Sequence, residues 1–287
     1  MAGIYEDDAN RGTHALLFYR PHMQPLLNIA VKAARRAGDL IVRSLPRLDS
    51  IKIDSKGRND FVTDIDRQAE ADIIATVRRS HPDHGFLGEE SGRSGSGETT
   101  WIIDPLDGTT NFLHGFPQFA VSIGVEQKGR LQQAVVYDPL RQELFTASRG
   151  EGAQLDGKKI RVSTQRTLEG ALLGTGIPFR AQDSWVDDYL AMLKAMMGTA
   201  AGIRRAGAAS LDLAYVAAGR LDGFWEFGLS PWDTAAGTLL IQEAGGRVGT
   251  PAGAEYALGR NVIAGNPKVY EGLVAALGPL TPAALRD

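Results

Sequence analysis

Apolar residues recur at helical spacing from Leu26 onward. Leu26, Leu27, Ile29, Ala30, Ala33, Ala34, Ala37, Ile41 and Val42 share one face. This predicts an amphipathic helix over 24–45, stopped at Pro46, which lacks an N–H and cannot continue the ladder. Ile51 and Ile53 predict a short strand, and Asn59-Asp60 a turn. A second helical pattern covers 63–80, with Thr63 as N-cap and Asp64 and Asp66 in its first turn. Gly85-Phe86-Leu87-Gly88 predicts a strand that ends at Glu89-Glu90. The Gly/Ser-rich run 91–100 reads as a mobile loop. Strands are expected near 101–103, 119–126, 131–138 and 143–149, with hairpin turns at 127–130 and at Asp156-Gly157.

The pattern then changes. Strands at 171–176, 203–205, 222–226 and 261–264 alternate with helices at 184–197, 208–219, 231–245 and 267–277. An α+β unit over 23–165 packed on an α/β unit over 166–287 accounts for this change. Residues 1–22 are mixed and polar, and the core pattern begins only after Met23, so they read as a poorly ordered extension.

Composition narrows the class. The chain has 287 residues and is 43% hydrophobic, enough for a large core. Its 31 basic and 34 acidic residues leave a net charge of −3, so nucleic-acid binding would need a local patch. The absence of cysteine excludes disulfides, thiolate zinc sites and a cysteine nucleophile, and fits a reducing cytoplasm. No apolar run is long enough to span a membrane, and no signal-peptide pattern opens the chain.

The run Trp101-Ile102-Ile103-Asp104-Pro105-Leu106-Asp107-Gly108-Thr109-Thr110-Asn111 carries the chemistry. A buried strand ends in two carboxylates, and a turn leads into a helix. Paired carboxylates hold hard cations such as magnesium through oxygen. A helix start offers N–H groups to a phosphate. Together they point to metal-assisted phosphoryl chemistry. Three further acidic junctions, Glu89-Glu90, Asp60 to Asp66, and Trp232-Asp233, can converge on the same cations. Gly152 to Lys159 falls short of a phosphate-binding P-loop, because Lys159 stands where Ser or Thr must meet magnesium. His114 reads as a packing or loop residue, and Arg204-Arg205 as a subunit contact rather than a nucleic-acid patch.

Gly88-Glu89-Glu90-Ser91, the 101–111 run and Trp232-Asp233-Thr234-Ala235-Ala236-Gly237 resemble, in order and spacing, the signatures of the inositol monophosphatase family. The likeness covers about residues 23–275, and no member of the family's metal set is missing. Gly202 to Ser210 and Trp225 to Leu229 resemble its bacterial extragenic-suppressor branch. The resemblance implies a five-layer αβαβα sandwich of the inositol monophosphatase and fructose-1,6-bisphosphatase type, usually dimeric. It implies lithium-sensitive, magnesium-dependent hydrolysis of inositol 1-phosphate or a similar phosphorylated cyclitol or sugar, with two or three ions. By motif, Glu89, Asp104 and the Leu106 carbonyl would hold one ion; Asp104, Asp107 and Asp233 would hold the second; a third would lean on Glu89. Asp66 and Thr109 would orient water, Gly108 and Thr109 would hold the phosphate, and Ala209 and Glu226 would face the cyclitol. Relatives acting on fructose 1,6-bisphosphate, histidinol phosphate or adenosine bisphosphate share these metal signatures. The bacterial branch also implies a role in ribosomal RNA transcription antitermination, with Nus factors and RNA polymerase as partners.

Overall fold

The computed structural model describes residues 25–50, 53–57, 60–178 and 185–286. The 1–22 extension lies outside the described residues. Helix α1 (Pro25–Ser44) buries Leu27, Ala30, Ala33, Ala34, Ala37, Gly38 and Ile41. Its small residues let it lie close to the sheet beneath, where a Cβ on Gly38 would come within 2.6 Å of Tyr137. Two short 3-10 turns over Leu45–Ser50, joined across a kink at Arg47 (φ −125°, ψ 23°), follow at the expected stop. Strands β1 (Ile53–Gly57) and β2 (Asp60–Thr63) form an antiparallel hairpin. Between the turn read at Asn59-Asp60 and the cap at Thr63 only Phe61 and Val62 remain, too few to announce β2. Helix α2 (Asp64–Arg78) starts at the predicted cap.

The first large sheet takes β3 (Gly85–Gly88), β4 (Gly92–Ser94) and β5 (Thr99–Asp107) before the short helix α3 (Thr109–Leu113). It continues with β6 (Ala120–Gln127), β7 (Arg130–Asp138), β8 (Glu143–Ser148), β9 (Gly152–Leu155) and β10 (Lys158–Lys159). The strand order is β10-β9-β8-β7-β6-β5-β3-β4, antiparallel throughout except for β3 beside β5. The run 91–100 is therefore not all loop. Gly92, at φ 69°, turns the chain back so that β4 pairs with β3. The segment 152–159 is a β-hairpin, with Leu155 opposite Lys158, and not a strand-to-helix phosphate loop.

The second sheet takes β11 (Leu172–Thr175), then β12 (Gly202–Arg204) after helix α4 (Val186–Met197), and β13 (Gly223–Phe227) after helix α5 (Ala209–Ala217). Helix α6 (Pro231–Glu243), strands β14 (Arg247–Gly249) and β15 (Asn261–Gly265), and helix α7 (Pro267–Leu277) complete it. Its order is β12-β11-β13-β15-β14, with β15 antiparallel to both neighbours. Strand β14 is too short to carry a readable period.

The layers stack as α1/α2, large sheet, α5/α6, small sheet, α4/α7. The central core joins Ile102, Val136 and Phe145 of the large sheet to Leu211, Leu213, Leu240 and Ile241 of the middle helices and to Phe224 and Val262 of the small sheet. Separate clusters fill the outer spaces, one around Ile41, Ile73 and Trp101, the other around Tyr189, Trp225 and Leu273. Among the described residues no helix is long and apolar enough to cross a membrane.

Candidate active site

The end of β3, the end of β5 and the starts of α3, α5 and α6 meet around a cleft of about 620 Å3. Glu89, Asp104, Leu106, Asp107, Gly108, Thr109, Ala209, Glu226 and Asp233 all line it. Asp66 lies just beneath and is fully buried. Its Oδ1 accepts the Thr109 hydroxyl at 3.1 Å, and the same hydroxyl lies 3.1 Å from the Leu106 carbonyl.

A kink in β5 makes the acidic pair possible. In a regular strand, residues three apart point to opposite faces. Asp104 pairs with Ser122 but Asp107 with Ala120, so β5 carries one extra residue between them. Pro105 sits inside this bulge, where its missing N–H costs no ladder bond. The bulge turns both carboxylates into the cleft. Carboxylate oxygens of Asp104, Asp107 and Asp233 fall within 4.8 Å of one another.

Two helix caps place two further acids. Thr63 caps α2 by accepting the N–H groups of Ile65 at 3.1 Å and Asp66 at 3.4 Å. Asp66 returns a bond from the Thr63 N–H at 2.8 Å, completing a capping box. At α6 the Ser230 N–H donates to Asp233 Oδ2 at 2.7 Å. Both acids thus stand at the third position of a helix, where the dipole favours negative charge.

The electrostatics of the cluster are unfavourable without a counter-charge. Burial pushes the Asp104 carboxyl well above the usual carboxylate range, and Glu89, Asp107 and Asp233 push it further. Burial raises Asp107 to about 6, opposed by the Ser210 hydroxyl and N–H, which reach its Oδ2 at 2.5 and 2.8 Å. Asp66 is raised by burial too, against the stabilising bonds from Thr63. Buried like charges of this density take up protons or a cation. The donors are all oxygen, which suits a hard divalent ion.

Beside the acids the chain turns at Gly108, where φ is 91° and a Cβ would lie 2.8 Å from the Gln118 carbonyl. The α3 start follows at once, with first-turn amides that have no partner inside the helix. Asn111 Nδ2 donates to the carbonyls of Gln118 at 2.7 Å and Ala206 at 2.9 Å, tying this turn to the segment that leads into Ala209. On the far wall, Glu226 of β13 packs so tightly on Gly176 that a Cβ there would overlap its carboxylate.

The comparisons agree with this construction. The family model for the inositol monophosphatase family matches residues 22–280. The chain belongs to the inositol monophosphatase family. It is 57% identical over 270 residues to the Nus factor SuhB of Pseudomonas aeruginosa, covering 92% of this chain and all of that one. The crystal structure of the extragenic suppressor protein SuhB from Bartonella henselae superimposes with a TM-score of 0.85 at 44% identity, covering 88% of this chain and 98% of that one. The inositol monophosphatase from Anabaena (Nostoc) sp. gives 0.80 at 37% identity, covering 91% and 98%. The five-layer sandwich is thus the architecture of this family.

In and behind the cleft stand residues whose place the local sequence patterns do not assign. Ser210 bonds Asp107 across 103 positions of sequence, and nothing local announces it. Asp212 is buried one turn into α5 and raised well above its usual range by burial and then by Glu226. Trp185, Arg205 and Arg260 line the mouth beside Glu226. His114, read as a loop residue, caps α3 and also lines the cleft. Glu70 stands behind Glu89; its place four residues after Asp66, on the same helix face, was the one signal available.

Proposed function

We propose that this chain is a magnesium-dependent phosphomonoesterase that hydrolyses inositol 1-phosphate or a closely similar phosphorylated polyol. One observation carries the reading: the carboxylates of Asp104, Asp107 and Asp233 converge within 4.8 Å beside the Gly108–Thr109 helix start. In this reading Glu89, Asp104 and the Leu106 carbonyl hold one ion, and Asp104, Asp107 and Asp233 another. Bound magnesium supplies charge neutralisation and Lewis-acid activation of water and phosphoryl oxygen. The residues do the rest. Asp66 fixes the Thr109 hydroxyl, which orients the attacking water. The amides of Gly108 and Thr109 hold the phosphate where charge builds up. The Ala209 backbone and the Glu226 carboxylate accept and position polyol hydroxyls. The acids are occupied in holding cations and water, which favours direct water attack over a phosphoenzyme. We expect inhibition by lithium and a cytoplasmic homodimer, as in the family pattern.

A screen of about a dozen phosphorylated metabolites, with and without magnesium, tests the assignment. Asp104→Asn should cut turnover by several orders of magnitude, since metal-derived stabilisation is worth several kcal/mol. Near-normal turnover of that variant in saturating magnesium sinks the reading.

A second role is supported by a separate observation, the name Nus factor borne by the 57% identical Pseudomonas relative. We propose that this chain also serves transcription antitermination through Nus factors and RNA polymerase. The Asp104→Asn variant separates the roles: growth restored by an inactive enzyme supports the second one, and growth that tracks phosphatase activity removes it.

A further inference from the structure

Glu70 lies one turn beyond Asp66 on α2 and is only 2% exposed. One of its oxygens accepts the Glu90 N–H at 2.9 Å and the other the Ser91 N–H at 2.8 Å. The same carboxylate presses against Gly88, where a Cβ would overlap it. One side chain therefore holds residues 88, 90 and 91, and Glu89 is the residue between them. The Glu89 N–H donates to the Ile103 carbonyl at 3.1 Å, extending the β3–β5 pairing by one residue. Glu89 is thus held on both sides by backbone contacts.

The two glutamates open in different directions. Glu89 lines the catalytic cleft, whereas Glu70 lines a separate groove of about 920 Å3 on the outer side of α2, beside Ile74 and Arg78. Glu70 acts on the cleft only through the turn it grips. Burying a carboxylate is costly, and two charge-assisted bonds to backbone amides offset that cost. The arrangement has a chemical match elsewhere in the chain. Glu243 at the end of α6 accepts the Gly150 and Gly152 N–H groups, each at 2.9 Å, and does not line the cleft.

We infer that Glu70 is a positioning residue, which locks the 88–91 turn so that Glu89 is presented to the divalent-cation site. This rests on the metal-dependent reading above. Supporting residues of this kind set metal affinity, typically by about 10- to 100-fold.

The test is calorimetric titration of the chelator-treated full chain with magnesium or manganese, together with thermal melting in chelator. Glu70→Gln keeps one acceptor and turns an NH2 group against the other amide. Gly88→Ala leaves Glu70 in place but pushes its carboxylate away. Both should weaken cation binding by about tenfold or more, and saturating metal should restore most of the turnover with substrate KM little changed. Glu243→Gln, at a more exposed pair of amides, should lower the melting temperature somewhat and leave cation affinity at the wild-type value. Unchanged cation affinity in both Glu70→Gln and Gly88→Ala overturns the inference, as does an equal loss in Glu243→Gln. A wild-type chain that binds neither cation overturns the metal-dependent reading instead.

Discussion

Glu226 and His84 illustrate how much one side chain can decide. In the proposed reading the cations and the phosphate turn would meet only the ester end of a substrate, so discrimination would have to come from the far wall. A polar group in the cleft left without its hydroxyl partner costs about 1–3 kcal/mol. Glu226→Gln should lower kcat/KM for inositol 1-phosphate roughly 5- to 150-fold more than for a small ester without those hydroxyls. An unchanged ratio of the two constants would hand the pocket to one of the sister activities. His84 sits outside the cleft and reports on the fold. The Trp101 indole N–H donates to His84 Nδ1 at 2.9 Å, so that nitrogen must be unprotonated. Burial pushes the His84 imidazole down, helped by the His81 ring stacked 4.4 Å away and opposed by Asp83. With the folded value depressed, the unfolded chain takes up the proton first. His84 therefore stabilises the fold above about pH 6.5, and that contribution is lost as the pH falls below it. The raised carboxyls of the cleft work the other way as they take up protons, so the comparison that isolates His84 is with His84→Asn: between pH 7.5 and 5.5 the wild-type melting temperature should fall relative to that of the variant. An identical slope in the variant means the histidine is not responsible.

At the scale of elements, helix N-termini double as chemistry. Thr63 and Ser230 each stand three residues before an acid that faces the site, so one feature starts a helix and aims a carboxylate. Thr63→Ala removes the cap of α2, worth about 1 kcal/mol or about 2 °C in a chain of this length. It also removes the hydroxyl that lies 2.5 Å from Asp66 Oδ2. Turnover should fall more than the small loss of stability explains, and Thr63→Ser, which keeps the hydroxyl, should recover both. Recovery of stability without turnover would separate the cap from the catalytic role. The β5 bulge works in the same way. Asp104 and Asp107 were legible as a pair, but their common direction depends on one inserted residue in a register with β6.

Across the whole molecule, α5 and α6 lie between two sheets and leave no space for a shift. A Cβ on Gly124 would sit 2.8 Å from that of Ala235, and one on Gly237 would overlap Leu213. Gly237→Ala sets two effects against each other. Alanine gains about 1 kcal/mol in a helix interior, whereas overpacking a filled core costs about 1–3 kcal/mol. Leu213 is fully buried and has nowhere to go, so overpacking should win. Urea unfolding should show a net loss of about 1 kcal/mol, with activity and structure lost in one transition because the same helices carry Ser210 and Asp233. A more stable variant would show that the middle layer can yield.

Elements with a readable period and motifs contiguous in the chain were legible before folding. The stripe from Leu27 to Ile41 becomes the buried face of α1, and the runs read as strands near 119–126, 131–138 and 143–149 become β6, β7 and β8 of the large sheet. The 101–111 run announced its own chemistry because strand, acids, turn and helix start are contiguous in the chain. Three-residue strands such as β4 and β14 have no period to read, and β2 has only Phe61 and Val62 between a turn signal and a helix cap. Tertiary structure alone decided that Ser210 would brace Asp107 and that Glu70 would grip the turn around Glu89. Those bonds join residues far apart in sequence. A short-range pattern records the propensity of each partner, but only folding decides which partners meet.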